Sequence, residues 1–140
     1  MTDGETFDLI GPGLKLIYPA PPAYPVTLVA HLQRQLGFAR NTFGPGRRTA
    51  ALLDHLRKEL AEIEAAADDQ HAAQECIDVI ILAFELAMRR LQAAGEHDPA
   101  AAAARLLLDK QTQNEGRVWP DWRTADPEKA IEHDRSRDHD

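Results

Sequence analysis

Cysteine is nearly absent from this chain: its 140 residues contain one, Cys76. A single thiol excludes an intrachain disulfide framework and points to a reducing compartment. Its place inside the apolar run "HAAQECIDVIILAFEL" predicts a buried, structural role. Aromatic residues are scarce at 6 %, whereas alanine runs are frequent, and that balance favours helix over strand. No stretch reaches the roughly 18 apolar residues that a membrane span needs. The opening "MTDGETFDLI" lacks the basic-then-apolar pattern of a secretory signal. A basic excess is lacking too, because the formal net charge is −7. That sign argues against tracking the phosphates of a nucleic-acid polymer or docking on an anionic membrane, while leaving small anionic ligands open. The expectation is one soluble, cytoplasmic, all-α domain with tails.

Residues 1–25 hold five prolines, "MTDGETFDLIGPGLKLIYPAPPAYP", and read as an extended arm. From Val26, Leu28, Val29, Leu32 and Leu36 recur at helical spacing to about Arg40, and "NTFGPGRRT" then breaks the helix. Thr49 reads as the N-cap of a second helix reaching about Ala66. After "AADDQ" a third helix runs to about Ala94. Asp98 caps a fourth helix, with Pro99 in its first turn, which continues to about Asn114. The segment "EGRVWPDWRTADP" is turn-rich, "EKAIEH" suggests a helical turn, and residues 134–140 form a charged tail. Four helices of this length predict a four-helix bundle over residues 26–133.

The carboxylates carry the chemistry. At about 100° per residue, Leu52, Leu53, Leu56, Leu60 and Ile63 share one face of the second helix. Glu59 lies at the edge of that face, with Glu62 on its flank. Alone, this Glu-x-x-Glu is an ordinary solvated pattern, and Lys58 can pair with Glu62. On the third helix, Ile77, Ile80, Ile81, Phe84, Met88 and Leu91 predict an inward stripe. Glu75, Asp78, Glu85 and Arg89 run down another side of this mostly apolar helix. Glu85 and Arg89 can pair at i, i+4, but Glu75 and Asp78 have too few cations beside them, and buried carboxylates are costly without partners. Antiparallel packing of the two helices brings Glu59, Glu62, Glu75 and Asp78 together. An all-oxygen cluster of this kind suits Mg²⁺, with Mn²⁺ as a substitute. Two ions about 4 Å apart would clamp a phosphoryl group and activate a water.

Other features are weighed against this one. Lys110 and Asn114 share a helix face, and Arg117 lies just beyond, so three donors can converge, or simply complement the helix end. Trp119 and Trp122 can stack on a base or anchor packing. The pairs His97-Asp98, His133-Asp134 and His139-Asp140 do not make a metal phosphohydrolase site, since Asp98 is an N-cap and the other two pairs lie in a polar tail. A non-catalytic helical binding module would explain the amphipathic helices but not the acids of the third helix.

The motif "ELAE" followed by "ECID" resembles the metal motif of the all-α, MazG-type nucleotide pyrophosphohydrolases. The blocks "RQ..F...TFGPG.RT", "LDH.RKEL.EIE", "D.IILA", "KQ..NE.R.WPDWRT" and "KAIEH" are similar to a phage and bacterial branch described as dATP/dGTP diphosphohydrolases, with MazZ-like relatives that act on guanine nucleotides. The similarity spans about residues 34–133. It implies hydrolysis of a purine (d)NTP, dGTP or GTP first, to the monophosphate and pyrophosphate. A dATP-preferring or broad house-cleaning enzyme is the alternative. It implies Glu59, Glu62, Glu75 and Asp78 as metal ligands and catalytic residues, with two or more Mg²⁺ or Mn²⁺ ions. Lys110, Asn114 and Arg117 become phosphate and sugar contacts, and Trp119 a substrate contact. Gln35, Arg47 and Arg48 are further candidates; the two arginines would reach a triphosphate, including across a subunit boundary, or stand as solvated loop charges. A homodimer or homotetramer in a bacterial or phage-infected cytosol is implied as well. The chain departs from the branch at Cys76 and Ile77, where Trp and Val are usual, and at Glu85, where Asp is usual.

Overall fold

The computed structural model describes residues 26–138; the expected N-terminal arm, residues 1–25, lies outside them. Among the described residues are four α-helices, one short 3₁₀ turn and no strand, so the all-α expectation is met. The chain divides between Ala103 and Ala104 into two compact units.

In the first unit, helix α1 spans Leu28–Phe43. Thr27 starts it, its side chain accepting from the Ala30 N–H at 3.1 Å, and Gly44 ends it at φ +89°, a conformation that glycine adopts without strain. Helix α2 spans Thr49–Ala65. Its N-cap is Arg48, not Thr49: the Arg48 carbonyl accepts from the Leu52 N–H at 2.9 Å, and Thr49 is already helical. Arg48 is left-handed at φ 47°, which is uncommon for a residue with a Cβ and marks a loop held from outside. Helix α3, Asp69–Ala93, begins where the Asp68 carboxylate accepts from the His71 N–H at 2.8 Å. Helix α4 spans Pro99–Gly116 and starts as expected, with Asp98 accepting from the Ala101 N–H.

The three-residue link 66–68 folds α3 back along α2, and this hairpin is the main packing of the unit, with α1 laid on α3. Leu32, Leu36 and Ala39 of α1 are buried with Leu52, Leu82 and Met88. The expected inward stripe of α3 is only partly inside. Met88 is buried, but Ile77 is 54 % and Ile80 48 % exposed, with Ile81, Leu53 and Leu60 also exposed. The reason is that α3 is apolar on nearly every side, and packing selects the side carrying Leu82, Glu85, Met88 and Arg89. Cys76 is exposed, not buried, because it sits on the outer side with Ile77 and Ile80.

In the second unit, the remainder of α4 leads into an irregular segment closed by its own side chains. The Trp119 indole N–H donates to the Asn114 carbonyl at 2.7 Å, its ring meets His133 edge-on at 5.5 Å, and the Asp134 N–H donates to the Val118 carbonyl. The suggested turn at "EKAIEH" is not helical; the 3₁₀ turn lies after it, at Arg135–Arg137. There the Asp134 carboxylate accepts from the Ser136 N–H at 3.0 Å and nucleates the turn.

Candidate active site

Glu59 and Glu62 lie three residues apart near the end of α2, and Glu75 lies in the first half of α3. The hairpin brings one carboxylate oxygen from each within 4.8 Å of the others. Three of the four expected acids thus converge. Asp78, exposed and one turn beyond Glu75, acts on Glu59 through its charge without joining that group.

Glu59 is the residue that the cluster disturbs. It is only 9 % exposed, and its Oε2 is buried with no hydrogen-bond partner. Burial pushes its carboxyl above the ordinary glutamate range, and the neighbouring carboxylates of Glu62, Glu75 and Asp78 push it further. A raised folded-state pKa means that the folded protein holds this proton more tightly than the unfolded chain does. Metal-free stability should therefore be favoured below the ordinary glutamate pKa and fall as pH rises through the raised value. Urea melts of the metal-free protein across that window will show the slope, and Glu59→Gln should flatten it; an equal slope in the variant would assign the effect elsewhere.

Two histidines stand beside the acids, and sequence reasoning missed both. His55 Nε2 lies 3.0 Å from Glu59 Oε1, and His71 Nε2 lies 3.5 Å from Glu75 Oε1. The signal was present as a repeated His-x-x-x-Glu, "HLRKE" and "HAAQE", which puts each imidazole one turn before its carboxylate. Lys58 does not pair with Glu62; it turns back to Asp54 at 3.3 Å.

Glu85 stays out of this cluster and pairs with Arg89, as its spacing predicts. Arg89, 2 % exposed, donates Nε to Glu85 Oε2 at 2.8 Å. Its Nη1 donates to the carbonyls of Gly44 and Gly46, both at 2.9 Å. Arg48 approaches the same Glu85 oxygen at 3.6 Å and lies over the Phe43 ring. The pair is thus a clip that fixes the α1–α2 loop. Gln35 is also used internally: its amide donates to the Ile81 carbonyl at 2.7 Å. Arg47 remains exposed.

Of the downstream donors, Arg117 and Asn114 meet, Nη1 donating to Oδ1 at 2.8 Å. Asp138 lies 3.5 Å from Arg117 Nε, and the hydrogen bond from His133 holds the Asp138 carboxyl below the ordinary range. Lys110 faces Gln113 at 3.4 Å. Trp119 makes the packing contacts described above, while Trp122 is exposed beneath Arg123.

One buried, one half-buried and one exposed carboxylate meet across the α-helical hairpin, and the family model that the chain matches makes it a nucleoside triphosphate pyrophosphohydrolase. More particularly, it belongs to the dATP/dGTP pyrophosphohydrolase family, whose model matches residues 32–138. No curated protein and no solved structure matches the chain. No helix among the described residues is long and apolar enough to cross a membrane.

Proposed function

We propose that the chain hydrolyses purine deoxynucleoside triphosphates at the α/β linkage, giving monophosphate and pyrophosphate, with dGTP or GTP preferred and dATP next. The observation that carries the reading is the convergence of Glu59, Glu62 and Glu75, with Glu59 buried and its Oε2 without a hydrogen-bond partner among the described residues. Hard oxygen donors crowded so closely fit a divalent cation, Mg²⁺ or Mn²⁺, as the missing neutralising group. Glu59, Glu62 and Glu75 would hold it, with Asp78 completing the set and providing for a second ion. Such an ion supplies charge neutralisation at phosphate oxygens and a lower pKa for a coordinated water. His55 and His71 orient the Glu59 and Glu75 carboxylates from the rim. Lys110, Asn114 and Arg117 bind phosphate and sugar, and Trp119 contributes an aromatic face. The exposed isoleucines Ile77, Ile80 and Ile81 of α3, with Leu53 and Leu60 of α2, are large apolar side chains that a second copy would cover, which supports a homodimer or homotetramer. Nucleotide supply in a bacterial or phage-infected cytosol is the setting this activity suits.

A panel of dNTPs and NTPs incubated with Mg²⁺, with products separated by chromatography, tests the reaction. Pyrophosphate release from purine substrates is expected. Orthophosphate with a diphosphate would reject the bond assignment, preferential pyrimidine turnover would reject the base assignment alone, and no turnover with no divalent-metal binding would favour a binding module. In the same assay, Lys110→Ala and Arg117→Ala should each raise KM by about 10- to 100-fold, from the loss of roughly 1.5–3 kcal/mol per charge-assisted hydrogen bond. Metal binding should stay near the parent's. Unchanged kinetics in both variants would remove these residues from the site.

A further inference from the structure

The end of α1, the α1–α2 loop and the last turns of α3 border an open cavity of about 230 Å³, lined in part by Arg40, Gly46, Arg47, Arg89 and Gln92. Among the described residues no carboxylate lines it. At its wall, buried Arg89 has five N–H groups. Nε donates to Glu85, Nη1 donates to Gly44 and Gly46, and one N–H of Nη2 reaches the Ala39 carbonyl at 3.4 Å. The fifth has no acceptor among the described residues. Arg40 donates to Gln92 Oε1, and neither Arg40 nor Arg47 has a carboxylate partner among the described residues. Among the described residues, four guanidinium groups, those of Arg40, Arg47, Arg48 and Arg89, therefore stand in or beside the cavity against one carboxylate, Glu85. This excess of positive charge occurs in a chain of net charge −7, so it is a local arrangement and not a property of the whole surface.

Planar guanidinium forks match phosphate oxygens in pairs. The volume is below the roughly 300–1,000 Å³ of pockets that take drug-sized ligands, so there is room for phosphate groups but not for a whole nucleoside. The cavity is also separate from the acid cluster of its own chain: even Arg89, the lining residue of α3 nearest to Glu75 in sequence, follows it by 14 residues, about 21 Å along the axis. A triphosphate chain does not span that distance.

We propose that this cavity is a second phosphate-binding site, taking a pyrophosphate-sized anion without a divalent metal. The anion has two sources, whose naming rests on the function proposed above: free pyrophosphate, or the triphosphate tail of a nucleotide held on the acid cluster of a second copy of the chain. The binding itself does not depend on that function.

Calorimetric titration of the full chain with inorganic pyrophosphate in EDTA isolates the site, because the metal-free acids repel the anion. The parent should bind. Arg40→Gln and Arg47→Gln, on exposed or half-buried positions, should each weaken binding at least tenfold. Arg90→Gln, at an exposed arginine next to Arg89 on α3 but outside the lining, should stay within twofold. No binding by the parent, or an equal loss in Arg90→Gln, would overturn the proposal even if nucleotide turnover is normal; conversely, calorimetry decides the site even if turnover is nil. Mixing Arg47→Gln with Glu75→Gln separates the sources. Activity above the sum of the two alone assigns the tail of a second copy's substrate. No gain, with pyrophosphate slowing the parent but not Arg47→Gln, assigns free pyrophosphate. Neither result would reject both sources.

Discussion

Glu75→Gln should cut turnover by more than about 100-fold while leaving the metal-free protein as stable as the parent or more so. The two halves of this expectation have opposite causes. Without metal, Glu75 adds a negative charge beside Glu59 and Glu62, with one oxygen of each within 4.8 Å of the others, in a cluster where burial and the neighbouring carboxylates already raise the Glu59 pKa, so removing one charge relieves crowding. With metal, the same change removes a ligand. Loss of groups that merely orient ligands costs 10- to 100-fold in metal enzymes, so loss of a direct ligand should exceed that. Saturating Mg²⁺ stabilises a folded protein by about 2.7 kcal/mol at 100 times its Kd, and the variant should lose most of that increment. Thermal melts with and without Mg²⁺, run beside a pyrophosphate-release assay, measure both effects. A structural acidic patch predicts the reverse, with metal having no effect on the parent, and Glu75→Gln that retains parental activity and parental metal stabilisation would rule out this cluster as the site.

Arg89→Met should be the most destabilising single change in the first unit, by roughly 3–5 kcal/mol, the range for removing one partner of a buried ion pair. The methionine fills much of the volume, but it leaves the Glu85 carboxylate, 3 % exposed, with only Arg48 at 3.6 Å. It also strips the Gly44 and Gly46 carbonyls of their donor. At a few degrees per kcal/mol, the melting temperature should drop by roughly 10–20 °C. The double variant Glu85→Leu/Arg89→Met should recover much of the stability, since no buried charge is left, but not the loop, whose carbonyls still lack a donor. Limited proteolysis at residues 44–48 should therefore remain fast in the double variant although its urea midpoint rises. Full protection of the loop there would show that Arg89 does not hold it.

The glutamate at position 85 acquires a meaning from this clip. Its Oε2 accepts from Arg89 at 2.8 Å while lying 3.6 Å from Arg48, so it links the middle of α3 to the left-handed residue that opens α2. The longer side chain is thus engaged with the loop and does not serve as an extra carboxylate beside Glu59.

Several elements were determined by the sequence alone. Thr27, Asp68 and Asp98 start helices because a side-chain oxygen satisfies the N–H three residues on, a local interaction that needs no tertiary partner. The convergence of Glu59, Glu62 and Glu75 was legible for a similar reason: helical spacing fixes each acid's side, and a short link leaves an antiparallel return as the simple way to bury both helices. The pairing of Glu85 with Arg89 also follows from i, i+4 spacing. What the tertiary structure decided is which side of α3 turns inward. That helix is apolar almost all round, so periodicity does not choose between the side of Ile77 and Ile80 and the side of Leu82 and Met88. Buried Glu85 and Arg89 choose it, because their charges need each other and the Gly44 and Gly46 carbonyls, 43 or more residues away in sequence. The same rotation exposes Cys76, and the loop that Arg89 holds places Arg47 at the cavity wall beside Arg40. These contacts join residues far apart in the chain, and no local pattern encodes them.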